Sequence, residues 1–235
     1  MPYRPPDRHS ITPQGRGRFP GFDVLDEVDV WDDVTAGVVL ARLGPPHDLS
    51  FFTPTEVAIA LPLLDLLLGQ DCEPRIPVLP LVDLRLATGQ TDGWHYDDLP
   101  EDATVWRKSL AFLDEDAHER HGCAFAESAT NQQAGLIQAV QDLSGDSWHG
   151  YPATQVWSLW TRYACSAFYS HPWAWNEIGF GGPAYPRGYL NPGINAREKW
   201  ETPDRHSIDP VPFSRRIERA RRRHDTLRGR PGREE

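Results

Sequence analysis

Residues 51–69 read FFTPTEVAIALPLLDLLLG, and this stretch decides the fold class. Thr53 and Glu56 stand at capping-box spacing, Pro54 takes the first helical position, Phe52 can staple onto Val57, and Gly69 supplies a stop. A helix is predicted from Pro54, with Pro62 expected to kink or split it, since proline removes a backbone donor and crowds the preceding turn. The helical period recurs downstream. Residues 76–86 form an apolar stretch closed by Gly89, and residues 105–118 place Trp106, Leu110, Leu113 and Ala117 on one helical face. Thr130 and Gln133 repeat the capping-box signature ahead of Leu136, Val140 and Leu143. Pro152 then opens a helix bearing Trp157, Trp160, Ala164 and Phe168, of which the two tryptophans and Phe168 are expected in the core. Upstream, residues 22–43 begin with an ambiguous alternation and end in a helix-like pattern at Val34, Val38 and Ala41. The expected fold class is all-α, an irregular helical domain over residues 21–201. An extended Pro- and Gly-rich arm precedes it at 1–20, and a basic tail follows at 202–235.

The chain has 235 residues, enough for a sizeable core, and a formal net charge of -10, which disfavours nucleic acid as a partner. Charge is distributed unevenly: residues 205–235 hold ten Arg against five acids, while the rest carries 14 basic and 29 acidic residues. The tail reads as an attachment arm or as a solvated face. Cys72, Cys123 and Cys165 are odd in number and far apart, which fits neither a disulfide framework nor a cysteine-held cluster. The longest apolar run, 57–68, is interrupted by Pro62 and Asp65 and is too short to span a bilayer of roughly 30 Å, so no direct membrane insertion is expected. The N-terminal residues have no apolar stretch of the kind a secretory or twin-arginine signal requires, which points to the cytoplasm, with co-export alongside a signal-bearing partner left open. The hexapeptide PDRHSI occurs at 6–11 and again at 203–208, too short for a repeat fold.

No catalytic constellation emerges. A dinucleotide site needs closely spaced glycines between a strand and a helix; Gly15, Gly17 and Gly21 have other spacings, and Gly179, Gly181 and Gly182 follow a helix. No C-x-x-C-H is present to attach a haem. His118, Glu119, His121 and Cys123 admit a metal reading, with the two histidines at i, i+3, and a blander one as a charged exposed helix end. Asp114, Glu115 and Asp116 point in different directions around a helix and read as a solvated face.

Residues 171–189 read HPWAWNEIGFGGPAYPRGY. Three prolines and four glycines argue against much regular structure, while five large aromatics resist solvation, so an ordered loop is expected. His171, before a proline, is expected to close the preceding helix. Trp173, Trp175, Phe180, Tyr185 and Tyr189, with Asn176, Glu177 and Arg187 among them, are the candidate interface or ligand residues, against simple loop packing.

The stretch 156–189 resembles the gluconate 2-dehydrogenase subunit 3 family, the small subunits of FAD-dependent sugar and alcohol dehydrogenases. The resemblance rests on AFYSHP at 167–172, WNEIGFGGP at 175–183 and YPRGY at 185–189. Weaker similarity in FDVL at 22–25, VVLARL at 38–43 and FFTPTE at 51–56 extends it over about residues 19–201. It implies a subunit without chemistry or cofactor of its own. Its implied partner is a larger, separate glucose-methanol-choline-type flavoprotein holding FAD, and a c-type cytochrome often joins such complexes. The chain departs from the family pattern in showing no twin-arginine signal. A different class of reading, a free-standing carbohydrate-binding or small-molecule enzyme domain built on the aromatic loop, stands beside it. The partner-binding set expected on this resemblance is His171, Trp173, Trp175, Asn176, Glu177, Phe180, Tyr185, Arg187 and Tyr189.

Overall fold

A computed structural model describes residues 22–201 apart from 72, 74, 95, 191, 195, 199 and 200. The terminal arm, the basic tail, both PDRHSI copies and Cys72 lie outside the described residues. Within them the chain is helical: α1 (Asp33–Ala41), α2 (Pro54–Leu68), α3 (Val78–Ala87), α4 (Asp102–His121), α5 (Thr130–Asp142), α6 (Ala153–Tyr169) and α7 (Pro172–Ile178). A 3-10 segment, Val24–Val30, precedes α1, and a second, Phe125–Glu127, precedes α5. Two short antiparallel strands, β1 (Ser147–Trp148) and β2 (Tyr151–Pro152), form the hairpin that feeds α6. The all-α expectation holds.

Local rules set the helix ends. Thr53 Oγ1 accepts the Glu56 N–H at 3.3 Å while Glu56 Oε2 accepts the Thr53 N–H at 2.8 Å, and Gly69 closes α2 at φ +66°. Pro62 neither splits nor ends α2. The carbonyl it leaves without a helical donor belongs to Ala58, an exposed residue that water can reach, while Ile59, Ala60, Leu63 and Leu64 hold the helix in the core. The α5 cap is shifted by one residue from the predicted Thr130–Gln133 pair. Gln132 Oε1 accepts the Ala129 N–H at 2.9 Å, which frees Gln133 to turn inward and donate to the Phe125 carbonyl at 2.8 Å.

Helix α6 is the hub, packing against α2, α3, α4, α5 and α7. Its Trp160 and Tyr163 are fully buried with Trp106, Leu110 and Leu113 of α4, whereas Trp157 is only partly buried at the rim of this core. Two buried polar groups of α6 are paired across helices: Trp160 Nε1 donates to Ser109 Oγ at 2.9 Å, and the Tyr163 hydroxyl to Asp102 Oδ2 at 2.8 Å. Arg85 lies 4.3 Å above the Tyr163 ring.

Of the acid run on α4, Glu115 alone is solvated as expected; Asp114 and Asp116 turn inward. Asp116 is buried and accepts from Trp148 Nε1 at 2.9 Å, with His149 Nε2 2.8 Å away; Asp114 accepts the Phe125 N–H at 2.8 Å. Both tie the chain after α4 back onto it. At the other end, His118 is exposed with Nδ1 2.8 Å from the Asp114 carbonyl, and no group of three or more His, Cys, Asp or Glu among the described residues is placed to hold a metal ion. No helix of the described residues is long and apolar enough to cross a membrane.

Asp83 shows how a buried charge is accommodated. Fully enclosed on α3, it accepts the N–H groups of Ser50 at 2.7 Å, Phe51 at 3.0 Å and Phe52 at 2.8 Å, and so aims the chain into the α2 cap. Asp83→Ala strands these donors and is expected to cost about 3 kcal/mol, lowering the melting temperature by roughly 6–12 °C for a protein of this size. A loss of under 2 °C by circular dichroism would show that water replaces the carboxylate.

Candidate functional site

Helix α6 passes into α7 through Ser170 and His171 alone. Ser170 Oγ donates to the Ala167 carbonyl at 2.7 Å, and the His171 N–H donates to the Phe168 carbonyl at 3.1 Å, closing α6 as expected. The His171 ring does something else: Nδ1 accepts the Trp173 N–H at 3.2 Å and caps the start of α7. Pro172 at the first position and Gly179 at φ +67° bound a seven-residue helix inside the block expected to be a loop. The segment after Gly179 is irregular, as read.

Helix α7 carries a second hydrophobic cluster, separate from the main core. Trp175 is buried there with Val24, Trp31 and Val39 of the N-terminal segment. Its Nε1 donates to the Tyr169 carbonyl at 2.7 Å, its ring meets Phe180 edge-on at 5.4 Å, and the Arg42 guanidinium lies 5.7 Å above it. Asn176, also buried, accepts the Val24 N–H through Oδ1 at 2.7 Å and joins two segments 152 residues apart. Gly182, at φ +75°, lets the chain cross Trp31: a Cβ there would lie 2.3 Å from Trp31 Cζ2. Arg187 pairs with Glu27 at 2.9 Å and donates to the Gly181 carbonyl at 2.7 Å. Arg42 reaches back to the Ser170 carbonyl at 2.6 Å.

The nine expected contact residues therefore divide. His171, Trp175 and Asn176 are buried, Trp173 is half-buried against the main core, and Arg187 braces the lobe from within. These hold the block in shape. Phe180, Tyr185 and Tyr189 are exposed, the two tyrosines at 65% and 63%. Glu177 is intermediate: Oε2 is buried without a hydrogen-bond partner among the described residues, and burial raises its pKa. The 3-10 segment and α1 join this site through contacts that the local sequence does not announce. Only the weak similarity at FDVL and VVLARL hinted at them, because no local pattern announces a contact across 152 residues.

Burial pushes the His171 imidazole down to about 4, reinforced by the Arg42 charge and opposed by a hydrogen bond to the Arg42 backbone. Its ordinary value is 6.5, so between about pH 6.5 and 4 only the unfolded chain takes up the proton. Stability from this group is complete above that window and falls as pH drops through it, by up to about 3 kcal/mol. Asn accepts the same cap hydrogen bond without titrating, so His171→Asn should lose less stability than wild type between pH 7 and pH 5 in urea denaturation. Parallel losses would remove His171 as the cause. Gly182→Ala should displace Trp31 and speed proteolytic cleavage within residues 22–42, leaving the main helical core intact; unchanged cleavage would show that the crossing relaxes.

The sequence model of the family described as Gluconate 2-dehydrogenase subunit 3 matches residues 54–182. That span runs from the first residue of α2 to the glycine that crosses Trp31, and is narrower at both ends than the resemblance read from the sequence. No curated protein and no solved structure matches the chain. With more than half of its length matched, the chain belongs to the gluconate 2-dehydrogenase subunit 3 family.

Proposed function

We propose that this chain is a non-catalytic small subunit that binds and stabilises a separate, larger FAD-dependent sugar or alcohol dehydrogenase subunit of the glucose-methanol-choline type. The observation that carries the reading is the edge of the α7 block. Tyr185 and Tyr189 stand exposed on a segment that Trp175, Asn176 and Gly182 fix to a rigid base. Exposed aromatics on a preorganised base suit an interface, because little entropy is lost when they dock. The flavin chemistry belongs to the partner, since this sequence offers no pyrophosphate-binding glycine pattern of its own. A c-type cytochrome as electron acceptor fits the same complex.

Affinity purification of the full chain from its own cells should bring down a larger polypeptide with flavin absorbance and dehydrogenase activity, the small chain alone being colourless and inactive. A colourless monomer that binds sugars by itself would overturn the reading in favour of a free-standing carbohydrate-binding domain. Within the complex, Tyr185→Ala and Tyr189→Ala should each weaken association by about 2 kcal/mol where the ring enters a desolvated pocket, with the helical signal intact. Trp175→Ala is a different experiment: it opens a cavity in the small cluster and costs about 3–5 kcal/mol of lobe stability. Wild-type affinity in both tyrosine variants would move the docking surface away from this edge.

A further inference from the structure

The N-terminal lobe, outside the segment matched by the family, carries an apolar face that its own fold does not use. Of the fifteen large apolar side chains exposed among the described residues, four lie within 30–40 and seven within 169–194; the rest of the described chain supplies only four. Helix α1, DVTAGVVLA, buries one residue, Val39, and has one charged residue within it, Asp33. Val34 and Val38, one turn apart on its outer side, are 73% and 53% exposed. The two exposed sets are pinned together by the Arg42 contact to Ser170, the Arg187–Glu27 pair and the crossing of Gly182 over Trp31. These contacts fix the two segments to each other.

We infer that α1 supplies half of a two-part docking face, with the α7 block as the other half, and that its occupant is the flavin-bearing subunit through an apolar patch rimmed by Lys and Arg. The inference rests on the reading above and specifies the partner's complementary chemistry. The charge around the patch selects this occupant. Residues 22–42 hold six acids against one base, Arg42, and that base is engaged by the Ser170 carbonyl and the Trp175 ring. Asp26 and Asp29 on the 3-10 segment and Asp33 at the start of α1 are exposed. A second copy of this chain would set these acids against each other on a molecule already at -10. A basic-rimmed partner meets them with attraction, while Val34 and Val38 leave water.

The test uses the full-length chain and the purified flavin-bearing subunit from the native complex. Val34→Lys/Val38→Lys, which places cations at the centre of the patch, should weaken binding at least tenfold with an unchanged helical signal. Leu61→Lys, at an exposed position on α2, should bind as wild type. Replacing Asp26, Asp29 and Asp33 by Asn should flatten the salt dependence of the association rate. Undiminished binding by Val34→Lys/Val38→Lys overturns the inference while leaving the subunit reading in place. So does a wild-type dimer that this variant converts to monomer without altering flavoprotein affinity. Sensitivity to the variant that vanishes when residues 202–235 are deleted would assign the face to the chain's own tail and overturn it too. Failure of the wild-type chain to bind any flavin-bearing subunit refutes the parent reading instead.

Discussion

Two residues separate α6, the hub of the described helices, from the candidate interface, and that short junction governs the geometry of both. A seven-residue helix has little stability alone, because nucleation is unfavourable and few hydrogen bonds follow it. Helix α7 exists because α6 is immobilised by α2, α3, α4 and α5, and because His171 closes one helix with its backbone and caps the next with its ring. Any freedom at Ser170 would be passed to Trp175 and Asn176, whose contacts with Val24, Trp31 and Val39 demand a fixed direction of entry. The order of dependence runs from core packing to junction to lobe to exposed edge.

The junction is made of neutral groups in an acidic protein. A protonated imidazole at His171 would be buried, could no longer accept from the Trp173 N–H, and would face the Arg42 charge; all three effects favour the neutral ring at ordinary pH. Charged groups brace the lobe around it: Arg42 donates to the Ser170 carbonyl, and Arg187 and Glu27 tie the chain after α7 to the 3-10 segment. Glu177 is the exception. Its carboxyl lies in the same block with one oxygen buried and unpaired among the described residues, and burial raises its pKa rather than lowering it. Such an acceptor gains most from a donor brought by another molecule, since its desolvation has already taken place.

What could be read from the sequence was what local physics decides. The Thr53 cap, the Gly69 stop and the buried face of α4 depend on neighbours a few residues away, and each stands where the spacing put it. The shifted cap at Ala129 has a local rival: Gln132 and Gln133 are chemically equivalent, and only the Phe125 carbonyl, fixed by the tertiary fold, decides which turns inward. Asp116 looked solvated because nothing nearby in sequence reveals that Trp148 and His149 return to it. In the aromatic block, Pro172 and Gly179 read locally as breakers, whereas their spacing is that of a helix start and a helix stop. The exposed edge was legible from the excess of aromatics over irregular backbone. Which of them anchor and which project was not, because that follows from Val24 and Trp31.

The lobe's economy of packing bears on how such a subunit would act. Four buried apolar residues and a nine-residue helix make a weak unit by themselves, and α1 buries only Val39 while Val34, Val38 and Leu40 stand exposed. Anything that binds this face in the folded lobe, and not in an opened one, stabilises the lobe by mass action. The relation is reciprocal: a lobe already held by Asn176 and Gly182 presents its partner with an ordered surface, so less conformational entropy is lost on docking. A small subunit can act on a larger one in this way, through a surface whose order and whose occupancy depend on each other.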